Sequence, residues 1–372
     1  MRVAVVLTAR PSWAKLDTVC RALLAKPDVE LHLIACASAL LERYGKVVDV
    51  VRAQGYPVAA EVWSTYEGAT LLTSAKETGA LLVELSSTLR ALQSDCAVVC
   101  ADRHEVLAAA QAASYLHLPL VHLQGGERSG SIDDRVRDAI TQLSDWHCTA
   151  TERALYRVYS LTGREDRVIW TGCPSIDLAK DALTEPPVTY EELGGSGASI
   201  NLDTPFLIVA QHPVTDEADQ AGEQMWTTLL ATQQYPRVVL FSGQDAGSDA
   251  MMKALRQHQM LAENVHTVRN LPPTRFLRLL SQCACLVGNS SAGIREASYL
   301  GTPVVNVGFR QQGRERAGNV RDVPSEANAI AQAVAQQVKA GRYPSSDLYG
   351  SGQAGEKIAD VIVERVRLRG AA

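Results

Sequence analysis

No run of about 18 uncharged apolar residues occurs, so a helical membrane span is excluded. The first apolar run, Val3–Leu7, is shorter than the apolar core of a secretory leader. It ends at Thr8–Arg10 without a small-residue cleavage site and reads as a buried first strand. Neither a G-x-G-x-x-G nor a G-x-x-x-x-G-K-[ST] is read in the chain, which weighs against a dinucleotide or P-loop reading. Neither H-E-x-x-H nor a His/Cys quartet is found, so neither a metal site nor a cofactor is expected. Eight cysteines form no C-x-x-C pair; reduced, buried thiols of a cytoplasmic protein are expected. No excess of basic charge appears either. Lys and Arg number 36 against 41 Asp and Glu, for a net charge of −5, which argues against a general nucleic-acid binder.

What is present is a long, apolar chain. The 372 residues exceed one ordinary domain, and a 46% apolar fraction is enough to fill two cores. Short β-rich runs alternate with helical periodicity. Strands are expected at 2–8, 31–36, 96–101, 118–122 and 168–171, with helices at 74–92 and 105–115 between them. Residues 184–205, rich in Pro, Gly, Ser and Thr, read as a linker or surface excursion. A second series follows, with strands at 206–211, 237–241, 265–268, 285–288 and 303–307. Its helices are expected at about 248–262 and 291–300, and a last helix at about 353–368. This alternation predicts an α/β protein of two doubly wound domains: 1–180, joined by the C-terminal helix 353–372, and 181–352. Ligands of such sheets bind at the carboxyl ends of strands, and the cleft between two such domains is the default site.

Polar residues gather at those ends. Asp102-Arg103-His104-Glu105 follows one strand and Leu123-Gln124-Gly125-Gly126-Glu127 the next. Asp133, Asp134, Arg135 and Arg137 lie in the segment after that. Asp102 and Asp133 read equally well as site carboxylates or as helix caps. In the second half, Asn289-Ser290-Ser291-Ala292-Gly293 opens a helix expected to stop at Gly301. Free N–H groups at such a start suit a pyrophosphate, and Glu296 is placed to accept hydrogen bonds from a ribose diol; an ordinary Ser cap is the alternative. His212 follows a strand. Arg10 follows the first strand, and Arg310, Arg314 and Arg316 cluster after another, where arginine suits phosphate as well as solvent.

Taken together, these segments resemble the hydrolysing UDP-N-acetylglucosamine 2-epimerases. The matching stretches are DRHE (102–105), HLQGGERSGSIDDRVRDAIT (122–141), TGCPSIDL (171–178), QHPVTDE (211–217), DAGS (245–248) and VGNSSAGIREASYLGTPVVNVGFRQQGRERAGNV (287–320). The resemblance implies the two-domain GT-B fold with the site in the interdomain cleft. It implies conversion of a UDP-N-acetylhexosamine and water into UDP and the free C2-epimer. It also implies a homodimer or homotetramer, with neither nucleic acid nor membrane as partner, and a place in sialic-acid biosynthesis. By resemblance Asp102 and Asp133 occupy carboxylate positions of the family, while Arg10, Arg103, His212, Ser290, Ser291, Glu296 and Arg310 match its UDP-binding positions.

The departures lie on the sugar side. Many members carry glutamate at the third position of H-x-E-G-G-E. Here it is Gln124, which cannot ionise, and Glu127 is the nearest carboxylate that can replace it. The family's G-D-R opens with Ala101, and Asp138 and Gln142 stand where histidine and lysine are usual. Catalytic work is therefore assigned to Asp102, Asp133, Glu127, Gln124 and His212. Three rivals stay open: a UDP-sugar hydrolase or lyase without epimerisation, a GT-B glycosyltransferase, and a non-catalytic nucleotide-sugar binding protein.

Overall fold

The computed structural model describes residues 1–370 except 69, 131, 242, 244 and 270; 371 and 372, the end of the expected 353–372 stretch, lie outside it. The chain divides into two compact units. The first comprises Met1–Glu127, Ile132–Leu178 and Tyr349–Ala372; the second comprises Arg128–Ser131 and Ala179–Leu348.

The first unit holds seven strands: β1 (Arg2–Leu7), β2 (Glu30–Cys36), β3 (Val58–Val62), β4 (Cys96–Cys100), β5 (Leu120–Leu123), β6 (Trp146–Thr149) and β7 (Val168–Trp170). Their order is β3-β2-β1-β4-β5-β6-β7, and every described pairing is parallel. Strands covered on both faces must be apolar throughout, and the runs VAVVL and CAVVC meet that demand. Helices Arg10–Leu24 and Ala354–Gly370 cover one face, and Leu71–Leu92 and His104–Tyr115 the other. The chain order reverses between β1 and β4, so Thr8–Arg10 and Ala101–Asp102 emerge at the crevice where such sheets bind ligands.

The second unit repeats the plan with β8 (Ser196–Gly197), β9 (Leu207–Ala210), β10 (Arg237–Leu240), β11 (Val265–Val268), β12 (Cys285–Gly288), β13 (Val304–Val307) and β14 (Val320–Val323). The order is β14-β13-β12-β9-β10-β11-β8, parallel except for antiparallel β8 at the edge. Its switch point falls between β9 and β12, at Gln211–His212 and Asn289–Ser290. Here Gly288 has φ +132°, and a Cβ would lie 2.4 Å from the Ala210 carbonyl oxygen, so only glycine lets the two strand ends close together.

The 184–205 stretch is mostly exposed, as expected of a surface excursion, and is tied down at points: Arg275 pairs with Glu185 at 3.2 Å and with Glu192, and β8 pairs with β11. Two expectations are corrected. The helix expected at 291–300 is two short pieces, Ser291–Ile294 and Glu296–Leu300, broken at Arg295 (φ −94°, ψ −73°), whose side chain is buried. The glycines 350–355 do spell G-x-G-x-x-G, but they follow coil and serve packing. Gly350 lies against Gly172, and a Cβ on Gly355 would sit 2.7 Å from the Thr18 backbone. All eight cysteines are buried and free. Among the described residues no helix is long and apolar enough to cross a membrane.

The start of the last helix is held by the side chain of Asp177. Asp177 accepts from the N–H of Ala354 (2.9 Å) and of Gly355 (2.6 Å), two donors that a helix start leaves without partners. Asp177→Ala should destabilise the protein by about 1–3 kcal/mol, read by thermal unfolding, with Asp177→Asn recovering about half.

Candidate active site

In the first unit, the switch-point turn is tied down by a residue to which sequence reasoning assigned no role. Arg137, fully buried on helix Asp133–Leu143, donates to Asp102 Oδ2, to Asp134 Oδ1 (2.8 Å) and to the Glu127 carbonyl oxygen (2.6 Å). It thereby joins the end of β4, the loop after β5 and the helix start. Asp102 stays partly exposed, whereas Asp134 and Glu127 are buried. Asp133 is the first residue of the helix, and its neighbour Asp134 is the one that meets Arg137.

Two residues here are held at positive φ without being glycine: Ala101 (+71°) and Gln124 (+64°), each directly after its strand. Such a backbone costs an L-residue roughly 1–2 kcal/mol. It is kept because both peptide groups are bonded to neighbouring strands: Ala101 N donates to Leu123 O (3.0 Å) and Gln124 N to Cys148 O (2.9 Å). The Gln124 side chain is buried and gives Nε2 to Cys173 Sγ at 3.0 Å, which leaves Oε1 buried without a hydrogen-bond partner.

Arg103 turns to Glu105, donating Nε and Nη2 to a fully buried carboxylate at 3.1–3.2 Å. Burial would raise the Glu105 carboxyl, but Arg103 and His104 outweigh it and hold it below the usual range. Burial likewise opposes a charge on His104, and Glu105 and Glu77 overcome it, raising that histidine. Arg10 opens the helix after β1, and burial lowers its guanidinium.

In the second unit, Asn289 organises the other switch point. Its Oδ1 accepts from His212 N (2.7 Å) and its Nδ2 donates to His212 O (2.8 Å). Its own carbonyl accepts from Arg310 Nη1 (3.1 Å) and Gln311 Nε2 (2.9 Å). One buried amide thus gathers His212, Ser290 and Arg310. Ser290 caps the four-residue helix through Ala292 N, so the helix dipole expected here is that of a single turn. Ser291 begins that turn. Glu296 is buried, and among the described residues its Oε2 has no hydrogen-bond partner, a position that calls for an external donor. Beside these strand ends lies a cavity of about 640 Å³ lined by Gln211, Val214, Asn289, Val307, Phe309 and Val323. Among the described residues no group of three or more His, Cys, Asp or Glu is arranged to hold a metal ion.

Residues 21–363 match the family model described as UDP-N-acetylglucosamine 2-epimerase. The chain belongs to that family. A UDP-N,N'-diacetylbacillosamine 2-epimerase (hydrolyzing) of Legionella pneumophila is 28% identical over 96% of this chain and 94% of its own. A UDP-N-acetylglucosamine 2-epimerase of Neisseria meningitidis is 26% identical over 97% and 94%. Among solved structures, a Neisseria meningitidis UDP-GlcNAc 2-epimerase bound to UDP-GlcNAc superposes with a TM-score of 0.82. It covers 98% of this chain and 100% of that one at 20% identity. The Methanocaldococcus jannaschii enzyme in complex with UDP-GlcNAc and UDP gives a TM-score of 0.80 at 17% identity over 98% and 100%. The expected two-domain GT-B fold is thereby shown.

Sequence reasoning missed Arg137, Asn289 and Cys173 as organisers of this epimerase-family chain. Arg137 and Asn289 lie inside the stretches that carry the resemblance, yet only their side-chain contacts reveal what they hold.

Behind the carboxylates, His122 and His147 are fully buried with ring centroids 6.4 Å apart. Burial lowers His122 to about 4, opposed by its bond to Ala101, and lowers His147 to about 3. Unfolded histidine titrates near 6.5, so below that pH the unfolded chain binds more protons. Their contribution is complete above pH 6.5 and falls as pH drops toward 4, by about 1.4 kcal/mol per pH unit for each. Among the described residues neither His147 ring nitrogen has a hydrogen-bond partner. His147→Leu should therefore flatten the fall in melting temperature between pH 6.5 and 4.5 and leave the protein more stable than wild type at pH 5.

Proposed function

We propose that this family member is a hydrolysing epimerase. Its substrate is a UDP-N-acetylhexosamine, either UDP-N-acetylglucosamine or a derivative with a further acetamido group, and its products are UDP and the free C2-epimer. The observation that carries the reading is the Asp102–Arg137–Asp134 cluster with Glu127, set at one switch point of a chain whose relatives include hydrolysing 2-epimerases. The sugar chemistry is assigned to the first unit. Phosphate and ribose are assigned to His212, Ser290, Ser291, Glu296 and Arg310 of the second, with Arg10 and Arg103 as further cationic contacts.

The C2 proton has no adjacent carbonyl and is poorly acidic, so direct epimerisation is blocked. Elimination avoids the difficulty. A carboxylate takes the C2 proton, the C1–O bond breaks, its electron pair leaves with UDP, and a 2-acetamidoglucal forms. Water then adds across the double bond, with hydroxyl to C1 and a proton to the opposite face of C2. Positive charge and N–H groups stabilise the departing pyrophosphate. Asp102 and Asp133, with Glu127, share the proton transfers. Gln124, unable to ionise, uses its unpartnered Oε1 to orient the acetamido N–H or the water. Gln124 is also what favours the second reading, a hydrolase that releases UDP without epimerising.

Glu296→Ala should weaken UDP binding about tenfold or more in calorimetric titration, the loss of one charge-assisted contact. Turnover in D2O distinguishes the two reactions: the epimerase delivers deuterium to C2 of the released sugar, seen by proton NMR. Asp102 caps no helix but pairs with the buried Arg137, so Asp102→Asn should lower the melting point by several degrees and also abolish turnover in the fraction that remains folded. UDP release with C2 fully protonated favours the hydrolase.

A further inference from the structure

We infer that His122 is a positioning residue that sets the peptide carrying Asp102, an inference that rests on Asp102 being catalytic. His122 sits on β5 with its ring fully buried. Nε2 lies 2.9 Å from the Ala101 carbonyl oxygen. A carbonyl only accepts, so Nε2 carries the hydrogen and Nδ1 must be the acceptor. Nδ1 lies 3.2 Å from Thr141 Oγ1, whose hydroxyl supplies that donor. The two bonds fix ring orientation and tautomer together.

The bonded carbonyl belongs to the peptide between Ala101 and Asp102. Ala101 is at φ +71°, a conformation alanine leaves unless something holds it. The His122 bond is one restraint on the orientation of that peptide plane, and the plane's orientation decides where the Asp102 carboxylate points. Thr141 lies on the helix Asp133–Leu143, which also bears Asp133, Asp134 and Arg137. The same imidazole and hydroxyl touch the loop after β5: a Cβ on Gly125 would meet His122 Nδ1 at 3.0 Å and Thr141 Oγ1 at 3.1 Å. One imidazole therefore registers three segments, and each bears a residue assigned to the chemistry. Its burial keeps the ring neutral at working pH, so it transfers no proton itself.

The test uses the full chain with Thr141→Val, His122→Phe and His122→Gln, measuring kcat and KM for UDP release and UDP affinity by titration. Thr141→Val keeps shape and removes the donor to Nδ1. His122→Phe removes both bonds, and glutamine returns a donor at nearly the reach of Nε2. In the valine and phenylalanine variants kcat should fall about 10- to 100-fold, with KM and UDP affinity within about threefold of wild type, and glutamine should restore most of the loss. A KM increase at unchanged kcat, or a kcat loss that merely follows the folded fraction, overturns the inference. If His122→Phe does not fold, Thr141→Val decides alone, and wild-type kcat in that variant overturns it. Asp102→Asn runs in parallel. If it retains full turnover, the catalytic reading of Asp102 fails and takes this inference with it. If it is inactive while Thr141→Val and His122→Phe keep full kcat, only the positioning role fails.

Discussion

The buried guanidinium of Arg137 is the contact on which the first unit's site depends. It meets two carboxylates and a carbonyl contributed by three separate segments. A buried cation costs several kcal/mol to desolvate, and that cost is recovered only when its donors are matched by well-placed acceptors. The match constrains all three segments at once, since moving any of them leaves charge unpaired in a water-poor place. Placing the cluster at the β1/β4 switch point puts the constraint where a doubly wound sheet offers its crevice.

The second unit solves the same geometric problem with neutral groups. Asn289 binds both backbone groups of His212 and anchors Arg310 and Gln311 through its carbonyl. A neutral amide assembles the turn without adding negative charge, which suits the anionic ligand proposed for it. Glu296 is the exception. Its unpartnered oxygen lies buried in the same region, where a carboxylate is useful for hydroxyl donors and unhelpful for phosphate.

The departures from the family pattern have structural consequences. At Ala101 the family glycine would adopt φ +71° freely, whereas alanine adopts it under restraint. At Gln124 a neutral amide donates to the Cys173 thiol, and its oxygen stays buried without a hydrogen-bond partner among the described residues. Both changes occur at the ends of neighbouring strands, β4 and β5.

Much of the fold was legible because Val-rich runs such as VAVVL and CAVVC have few alternatives to a doubly covered strand. Among the strands that escaped notice, β3, β6 and β14 carry Glu61, His147 and the pair Arg321 and Asp322, charges or polar groups that break the apolar signal, and β8 is only two residues long. Motif spelling located the candidate residues at strand ends, including Asp102, His212 and Ser290. It did not indicate that the helix after Ser290 breaks at Arg295, because local propensity there is helical and the break lies at a side chain buried by tertiary packing. Nor did it reveal that Asp134, beside Asp133, meets Arg137. Sequence by itself determined which residues lie at the strand ends, since hydrophobic periodicity counts residues along the chain. Only the tertiary structure decided which of them share a hydrogen bond, because Asp102 and Arg137 are 35 positions apart and meet through packing that no local pattern encodes.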